Sequence, residues 1–345
     1  MGAGRIDRAL RVICGPTAAG KSAVAMALAA ETGATIISAD ARHLYRGFDV
    51  GTAKPSRDER ARVPHIGLDV AEPGERWSAG RWATAAAGWL AGLASQGREA
   101  LVAGGTGFYV QALVAPLHES PPLDPGGRAA LDAVIGPLPL GELRRWCAAL
   151  DPARAHLGRT QLLRAIETVL LSGRRLSDAH ASVPAAPPRA ARYLVVDPGR
   201  QLSSRIEARV DAMLAGGWVD EVRRLLALVP PTAPAWTACG YRALQQYVLG
   251  EVTLADARES IIVATRQYAK RQRTWLRHQL DAARVTRIDP TDPSHLDVAR
   301  AWWHDDEAGT AGNAPAGVPH DAARQAPPNA SWNASPGAAA GARPA

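Results

Sequence analysis

The residues of this chain best suited to chemistry form a glycine-rich loop between an apolar run and an alanine-rich helix pattern. Residues 15–22 read Gly-Pro-Thr-Ala-Ala-Gly-Lys-Ser, a complete G-x-x-x-x-G-K-[ST] pattern, or P-loop. The backbone N–H groups of such a loop and the following helix dipole face an anion, the lysine adds a positive charge, and the hydroxyl suits Mg²⁺. We therefore predict that a phosphate group is bound by Gly15, Pro16, Thr17, Ala18, Ala19, Gly20, Lys21 and Ser22, with Ser22 as the Mg²⁺ ligand.

Two further polar residues follow short runs that are typical of strands. Asp40 comes after the β-branched run 35–38, and Thr106 comes after the apolar run 100–103. Ligands of parallel sheets bind at the carboxyl ends of the strands. We therefore expect the P-loop, Asp40 and Thr106 to converge on one crevice, although they lie far apart in the sequence.

A group of cations near the C-terminal third of the chain has helical spacing. Four cations are spaced four, three and four residues apart, so their side chains lie on one face of a helix. No acidic residue lies between positions 266 and 278. This pattern favours contact with the phosphate backbone of a nucleic acid, while a solvated helix face is the alternative. We call this set the basic stripe: Arg266, Lys270, Arg273 and Arg277.

The elements that must position these residues alternate between strand and helix. The strand runs at 12–14, 35–38 and 100–103 are separated by helix patterns at 22–30 and 79–95, the second with Ser78 as its N-cap. Such alternation predicts a parallel sheet covered by helices on both faces. The sequence therefore predicts an α/β fold, a P-loop NTPase-like parallel sheet with helices on both faces and a helical insertion domain.

Composition divides the chain into four segments. Residues 8–118 carry the P-loop and form the first part of a catalytic core, and residues 191–300 resume it with a strand, two helices and the basic stripe. Between them, residues 119–190 contain short helical patterns broken by prolines, which indicates a helical insertion, with 184–189 as a linker. Residues 307–345 are mostly Ala, Gly, Pro and Asn, a composition that predicts a disordered tail.

Charge and cysteine usage exclude several classes of protein. The 345 residues carry a net charge of +7, which favours an anionic partner, and include three widely separated cysteines that fit neither a disulfide framework nor a C-x-x-C zinc site. No apolar run reaches the roughly 18 residues of a membrane span, and the N-terminus lacks the pattern of a signal peptide. We expect a cytoplasmic protein with no membrane partner.

Several motifs, in the same order as in the family, resemble those of the bacterial tRNA dimethylallyltransferases. The matching stretches lie at 15–22, 38–55, 104–109, 164–167 and 265–277, and the most diagnostic are Gly-Thr-Ala-Lys-Pro at 51–55 and Arg-Gln-Tyr-Ala-Lys-Arg-Gln at 266–272. The resemblance implies transfer of a dimethylallyl group from dimethylallyl diphosphate to the exocyclic N6 amine of adenosine 37, beside the tRNA anticodon. We also expect a monomeric enzyme, with Mg²⁺ as the cofactor that the P-loop suits.

The resemblance assigns roles to particular residues. Asp40 matches the general base that takes the proton of the amine, Thr106 matches the residue that contacts the amine, and Arg209 matches a ligand of the diphosphate. Lys21 would stabilise the charge that develops on the leaving group. Two alternatives stay open: Asp40 as a carboxylate near Mg²⁺ or a helix cap, and Arg209 as a surface residue.

The resemblance and the basic stripe together predict a tRNA-binding surface that includes the helical insertion. Because a base stacked in the anticodon loop is out of reach, the adenine must be flipped out into the crevice. The predicted tRNA-binding residues are Asp40, Ala41, Arg42, His43, Thr106, Arg128, Thr160, Gln161, Leu162, Leu163, Arg164, Thr237, Ala238, Cys239, Gly240, Tyr241, Arg242, Arg266, Lys270, Arg271, Gln272, Arg273, Thr274, Trp275, Leu276 and Arg277.

The sequence departs from the family pattern at several positions. Ala41, His43 and residues 157–161 differ from the residues usual in the family, so tRNA contacts near them are open.

A P-loop kinase that uses ATP is the main alternative function, but Gly104 and Gly105 stand where an acidic Mg²⁺ ligand would follow the strand. A non-catalytic RNA-binding module would leave the P-loop and Asp40 unexplained.

Overall fold

The computed structural model describes residues 9–115, 123–182 and 189–305. These residues form two compact units: residues 9–115 with 189–305, and residues 123–182. The tail expected at 307–345 and nearly all of the linker expected at 184–189 lie outside the described residues, as does the start of the insertion. In the part of the chain that the structure describes, no helix is long and apolar enough to cross a membrane.

The first unit is built on a six-stranded sheet in which all paired strands are parallel, with the order β3-β2-β4-β1-β5-β6. The predicted parallel α/β sheet is confirmed, and its central strands coincide with the runs read from the sequence. The two edge strands were not predicted. The strands are β1 Leu10–Cys14, β2 Thr35–Ser38, β3 His65–Ile66, β4 Ala100–Gly104, β5 Ala191–Val196 and β6 Val285–Ile288.

Helices cover both faces of this sheet, as predicted. The central strand β1 shows this directly: Val12 packs into one hydrophobic core and Ile13, the next residue, into another. Two helices, α9 (Leu202–Ala215) and α12 (Leu254–Gln279), contribute buried residues to both cores. The helices of this unit are α1 Lys21–Thr32, α2 Arg57–Arg62, α3 Ala79–Ser95, α4 Gly107–Val114, α9 Leu202–Ala215, α10 Trp218–Leu228, α11 Tyr241–Val248, α12 Leu254–Gln279 and α13 His295–His304.

Local capping explains where the best predicted helices begin and end. The Ser78 side chain accepts a hydrogen bond from the Arg81 N–H and starts α3 as expected. Helix α1 ends at Gly33, whose φ of 71° is the left-handed conformation that favours glycine. Helix α12 is 26 residues long and begins with a capping box between Thr253 and Asp256.

The second unit is helical, in line with the predicted insertion. Its hydrophobic core is separate from the cores of the sheet and consists of Ile135, Leu143, Cys147, Leu162, Ala165 and Ile166. The helices of this unit are α5 Pro125–Ile135, α6 Leu140–Leu150, α7 Arg159–Ser172 and α8 Leu176–Ser182.

Candidate active site at the carboxyl ends of the strands

The P-loop joins the carboxyl end of β1 to the start of α1. A Cβ atom at Gly15 would lie 2.2 Å from the Val196 carbonyl oxygen of β5, so only glycine fits where the loop leaves the sheet. Gly20, the residue before α1, has a φ of 96°, which again favours glycine. The loop is therefore shaped by close backbone approach, as the motif requires.

A cavity of about 400 Å³ lies against this loop. Three of its lining residues are cations and none is acidic, so it suits a small polyanion such as a diphosphate. The Ser22 side chain is exposed and faces this cavity, and within the described residues its hydroxyl has no hydrogen-bond partner. The lining residues are Ala18, Gly20, Lys21, Ser22, Arg205, Ala208 and Arg209.

Lys21 has an unusual protonation equilibrium. Burial, together with the nearby Arg209 guanidinium, lowers the pKa of Lys21 to about 8, although Asp40 acts in the opposite direction. Its ammonium group donates a hydrogen bond of 2.6 Å to the Pro16 carbonyl. An anion that enters the cavity would favour the charged form and raise this pKa again.

Arg205 and Arg209 lie one helical turn apart on α9. Arg205 donates from Nε to the Ala18 carbonyl at 3.1 Å, which fixes its guanidinium beside the P-loop. Burial lowers the pKa of Arg209, and the nearby Asp40 partly opposes this effect. Arg205 was missed in the sequence, although the i, i+4 spacing of two arginines on a helix that follows a core strand is a usable signal.

Asp40 lies just after β2, and its Oδ1 accepts a hydrogen bond of 2.9 Å from the Arg42 N–H. Burial raises the pKa of the Asp40 carboxyl. The neighbouring His43, the Arg42 N–H and Lys21 outweigh burial, so the pKa is held below its usual value. Asp40 is therefore ionised at neutral pH and can accept a proton.

His43 is an ionisable neighbour of Asp40. Burial lowers the pKa of the imidazole, although Asp40 acts in the opposite direction. Its Nε2 lies 3.2 Å from the Thr52 carbonyl, which can only accept, so Nε2 carries the proton. Its Nδ1 lies 3.1 Å from the Ser38 hydroxyl and accepts from it when the imidazole is neutral.

Thr106 is joined to the segment that carries Asp40. Its Oγ1 accepts a hydrogen bond of 3.0 Å from the Ala41 N–H, and its own N–H donates to the Ala39 carbonyl at 3.1 Å. The Tyr268 hydroxyl of α12 is also hydrogen-bonded to Thr106. Burial raises the pKa of Tyr268, and the negative charge of Asp40 raises it further. The structure thus brings Asp40 and Thr106 together beside the P-loop.

The segment 49–54 is held by a buried carboxylate that sequence reasoning missed. Glu221 of α10 accepts from the N–H groups of Asp49, Val50 and Gly51 at 2.9, 2.7 and 3.2 Å, and from the Tyr241 hydroxyl at 2.6 Å. A Cβ atom at Gly51 would lie 1.9 Å from the Trp218 indole nitrogen, so glycine is required. A buried glutamate at the start of a helix is a weak sequence signal.

Lys54, whose side chain is fully buried, is the last residue of the segment 49–54. Its Nζ donates to the carboxylates of Asp49 and Asp69 at 2.6 and 2.7 Å, and to the Tyr45 carbonyl at 2.6 Å. The Lys54 ammonium group is therefore hydrogen-bonded within the protein and is not available to a ligand. The Thr52 carbonyl, which lies two residues before it, accepts from both His43 and Arg209.

Gln272 is hydrogen-bonded within the protein through both the oxygen and the nitrogen of its amide, and its predicted role as a tRNA ligand stays a prediction. Its Oε1 accepts from the Thr17 N–H, and its Nε2 donates to the Gly105 carbonyl, each at 2.8 Å. Thr17 was expected to present its N–H group to a phosphate, but this N–H is directed to Gln272, and Thr17 does not line the cavity.

The basic stripe does lie on one helix, α12, but two of its members are paired. Arg266 forms a salt bridge with Glu207, and Arg273 forms one with Asp197. Lys270 and Arg277 are exposed and have no ion pair within the described residues. The unbroken positive face that was expected is therefore interrupted, because acidic residues from distant parts of the chain pair with two of its four cations.

Several other predicted tRNA-binding residues have side chains that pack inside the protein. Thr237 accepts from Arg42 at 2.7 Å, Cys239 contacts the Thr265 hydroxyl at 3.3 Å, and the Trp275 ring lies against Gly107. Gly240 adopts a φ of 91°, and Thr274 bonds to its own helix. The predicted tRNA-binding residues Leu162, Ala238, Tyr241 and Leu276 are buried, and their contact with tRNA stays a prediction.

The predicted cations of the second unit share one acidic partner. Arg128 donates to the Glu167 carboxylate at 3.0 and 3.2 Å, and Arg164 lies 3.9 Å from it. Burial lowers the pKa of Arg164, and the nearby Arg128 adds to this effect. Gln161 accepts from the Gly158 N–H at the start of α7, next to Thr160 and Leu163, so it has a local role. Arg242 and Arg271 are exposed residues of the first unit.

Comparisons with known proteins agree on one family. A model of the IPP transferase family matches residues 43–279, and an isopentenyl transferase model matches residues 8–70. The tRNA dimethylallyltransferase of Anaeromyxobacter sp. (strain K) is 44% identical over 286 residues, which are 79% of this chain and 92% of that protein. The enzyme of the same name from Thermus thermophilus is 42% identical over 277 residues, with 79% and 90% covered.

Solved structures give the same answer for the fold. The tRNA isopentenylpyrophosphate transferase of Bacillus halodurans matches with a TM-score of 0.63 at 28% identity, over 88% of this chain and 98% of that one. A eukaryotic dimethylallyltransferase acting on tRNA matches with a TM-score of 0.69 at 22% identity, over 85% and 77% of the two chains. The P-loop NTPase-like fold predicted from the sequence is confirmed.

Proposed function

Because this chain belongs to the IPP transferase family of tRNA dimethylallyltransferases, we propose that it modifies the exocyclic N6 amine of adenosine 37, next to the tRNA anticodon. The donor is dimethylallyl diphosphate, and the products are N6-(dimethylallyl)adenosine and diphosphate. The observation that carries this proposal is the placement of an anion cavity with three cations beside an ionised carboxylate and a hydroxyl.

The reaction follows from these groups. The N6 nitrogen attacks C1 of the dimethylallyl group, the C1–O bond breaks, and the bonding electrons leave with the diphosphate. Lys21, Arg205 and Arg209 neutralise the charge that develops on this leaving group. The N6 proton goes to Asp40. Since N6 becomes positively charged and acidic as the new bond forms, a carboxylate whose pKa is low is a sufficient base.

Mg²⁺ fits the cavity as an ion held mainly by the substrate. Within the described residues, no cluster of three or more His, Cys, Asp or Glu side chains could hold a metal. The exposed hydroxyl of Ser22 is the oxygen ligand that the loop offers, and Mg²⁺ commonly takes its other ligands from phosphates and water. When bound, the ion would add positive charge at the leaving diphosphate.

The tRNA is held through its backbone by cations that the protein leaves uncommitted. Lys270 and Arg277 are exposed on α12 and have no ion pair in the described part of the chain. Tyr268 of the same helix contacts Thr106, so α12 reaches from the crevice to the surface. The flipped adenine would enter between Thr106 and Asp40. We propose that the protein acts in the cytoplasm as a monomer.

One incubation tests the proposal against the kinase alternative. Purified protein is mixed with unmodified tRNA and labelled dimethylallyl diphosphate, with labelled ATP in a parallel reaction. Transfer of label from the first donor to tRNA, lost when adenosine 37 is replaced by guanosine, supports the proposal. Transfer of phosphate from ATP would support the kinase, which the absence of an acidic residue lining the cavity disfavours.

A further inference from the structure

Gln272 joins the two halves of the crevice through a single side chain. It is 7% exposed, and it extends from α12 to the gap between the P-loop and the end of β4. Its amide oxygen accepts from the Thr17 N–H and its amide nitrogen donates to the Gly105 carbonyl, both at 2.8 Å. Both are well-formed, partly buried hydrogen bonds.

The two contacts are made to segments that carry groups assigned to the reaction. Thr17 belongs to the loop that holds the leaving diphosphate, and Gly105 immediately precedes Thr106. A Cβ atom at Gly105 would lie 2.4 Å from the Gln272 amide nitrogen, so the glycine makes room for this close approach. Because Thr17 directs its N–H to Gln272, the contact orients the loop without taking part in phosphate binding.

We propose that Gln272 is a positioning residue that sets the spacing between the diphosphate and the Thr106 hydroxyl, and so between the departing oxygen and the attacking amine. This inference rests on the proposed function. Group transfer depends steeply on this spacing, since a misplacement of about 1 Å can cost roughly a hundredfold in rate. Removal of the bridge should therefore lower the rate of transfer more than it weakens the binding of either substrate.

The test compares Gln272→Ala with wild type in single-turnover transfer at saturating tRNA and dimethylallyl diphosphate. We expect the rate to fall about 10- to 100-fold, while the dissociation constants of both substrates change less than about threefold. A rate within about threefold of wild type, or a loss that saturation removes, would overturn the proposal. Wild type run in parallel separates the two claims, because its own failure to transfer would refute the proposed function instead.

A second variant, Gln272→Glu, keeps the size of the side chain and tests the individual bonds. Its carboxylate still accepts from Thr17 but repels the Gly105 carbonyl, whereas its protonated form can donate to that carbonyl. Burial next to a carbonyl raises the pKa of this carboxyl. The rate relative to wild type should therefore rise severalfold from about pH 8.5 to about pH 6.

The pH profile also separates positioning from a general loss of structure. Gln96→Glu, an exposed position between α3 and the opposite end of β4, makes the same charge change and should keep a constant rate relative to wild type. A Gln272→Glu rate whose ratio to wild type does not change with pH would overturn the bond to Gly105 as the positioning contact.

Discussion

The Ala41 N–H donates a hydrogen bond of 3.0 Å to Oγ1 of Thr106, 65 residues further along the chain. This bond joins the loop that follows Asp40 to the start of α4. It also orients the threonine hydroxyl, because an oxygen that accepts from Ala41 directs its own proton elsewhere. The carboxylate and the hydroxyl assigned to the amine are thereby held as one unit.

Replacement of Thr106 by alanine should lower the single-turnover rate about 10- to 100-fold, because the Ala41 N–H loses its partner and Asp40 loses its fixed position. Thr106→Ser keeps the hydroxyl and is the matched control, expected within a few-fold of wild type. The two rates are measured at saturating substrates. Equal rates for the alanine and serine variants would contradict a role for the hydroxyl.

The affinity for the diphosphate should fall as pH rises through about 8, where Lys21 loses its proton. The sign follows from the lowered pKa: the amine is charged below this pH and attracts the anion, and it is neutral above it. We expect up to about tenfold weaker binding one pH unit higher. Isothermal calorimetry with inorganic diphosphate measures it.

The control for this pH dependence is Lys21→Ala, whose affinity should be lower and nearly flat over the same pH range. Its transfer rate should fall about a hundredfold or more through loss of leaving-group stabilisation. Arg200→Ala removes an exposed cation outside the cavity and should change neither property. A Lys21→Ala variant that keeps the slope would show that another group titrates.

Asp40→Asn keeps the shape of the side chain but cannot take a proton at neutral pH. The single-turnover rate should collapse, by about a hundredfold or more, while tRNA affinity changes little. Filter binding of tRNA and rapid-quench transfer measure the two quantities separately. A variant with weakened tRNA binding and a preserved rate would place the base elsewhere.

The two members of the basic stripe that have no ion pair within the described residues should carry its salt dependence. In the double variant Lys270→Ala with Arg277→Ala, the slope of log affinity for tRNA against log salt should lose about one to two units. In the double variant Arg266→Ala with Arg273→Ala, the loss should be smaller, because Glu207 and Asp197 already neutralise these arginines. Equal losses in the two variants would contradict this distinction.

Local signals explain what the sequence predicted correctly. The P-loop, β2 and α3 follow from patterns within a few residues, and α12 follows from helical spacing alone. The partners of the basic stripe could not be found this way, since Glu207 lies 59 residues from Arg266. Edge strand β3 spans only His65–Ile66, which is too short for any periodic pattern.

The burial of some predicted site residues could not be read from the sequence for a similar reason. Gln272 and Leu276 lie in a stretch of the sequence that is rich in cations. Their roles depend on which face of the helix packs against the sheet, and composition does not indicate this. Gln272 and Leu276 turn inward, whereas Lys270 faces solvent. The role of Glu221 depends on backbone N–H groups 170 to 172 residues away, which no local pattern encodes.

The enclosure of Lys54 has a consequence for chemical labelling. Lys21, Lys54 and Lys270 are the three lysines of the sequence, and every other permanent side-chain cation is an arginine. The Lys54 side chain is 0% exposed and should resist acylation in the folded protein. Lys270 is exposed and open to the reagent, whereas Lys21 borders the cavity and is a good nucleophile near pH 8, because its lowered pKa leaves much of it unprotonated. An amine-reactive ester thus reports on three distinct environments in one native protein, and the cavity lysine is the site whose labelling a bound diphosphate would suppress.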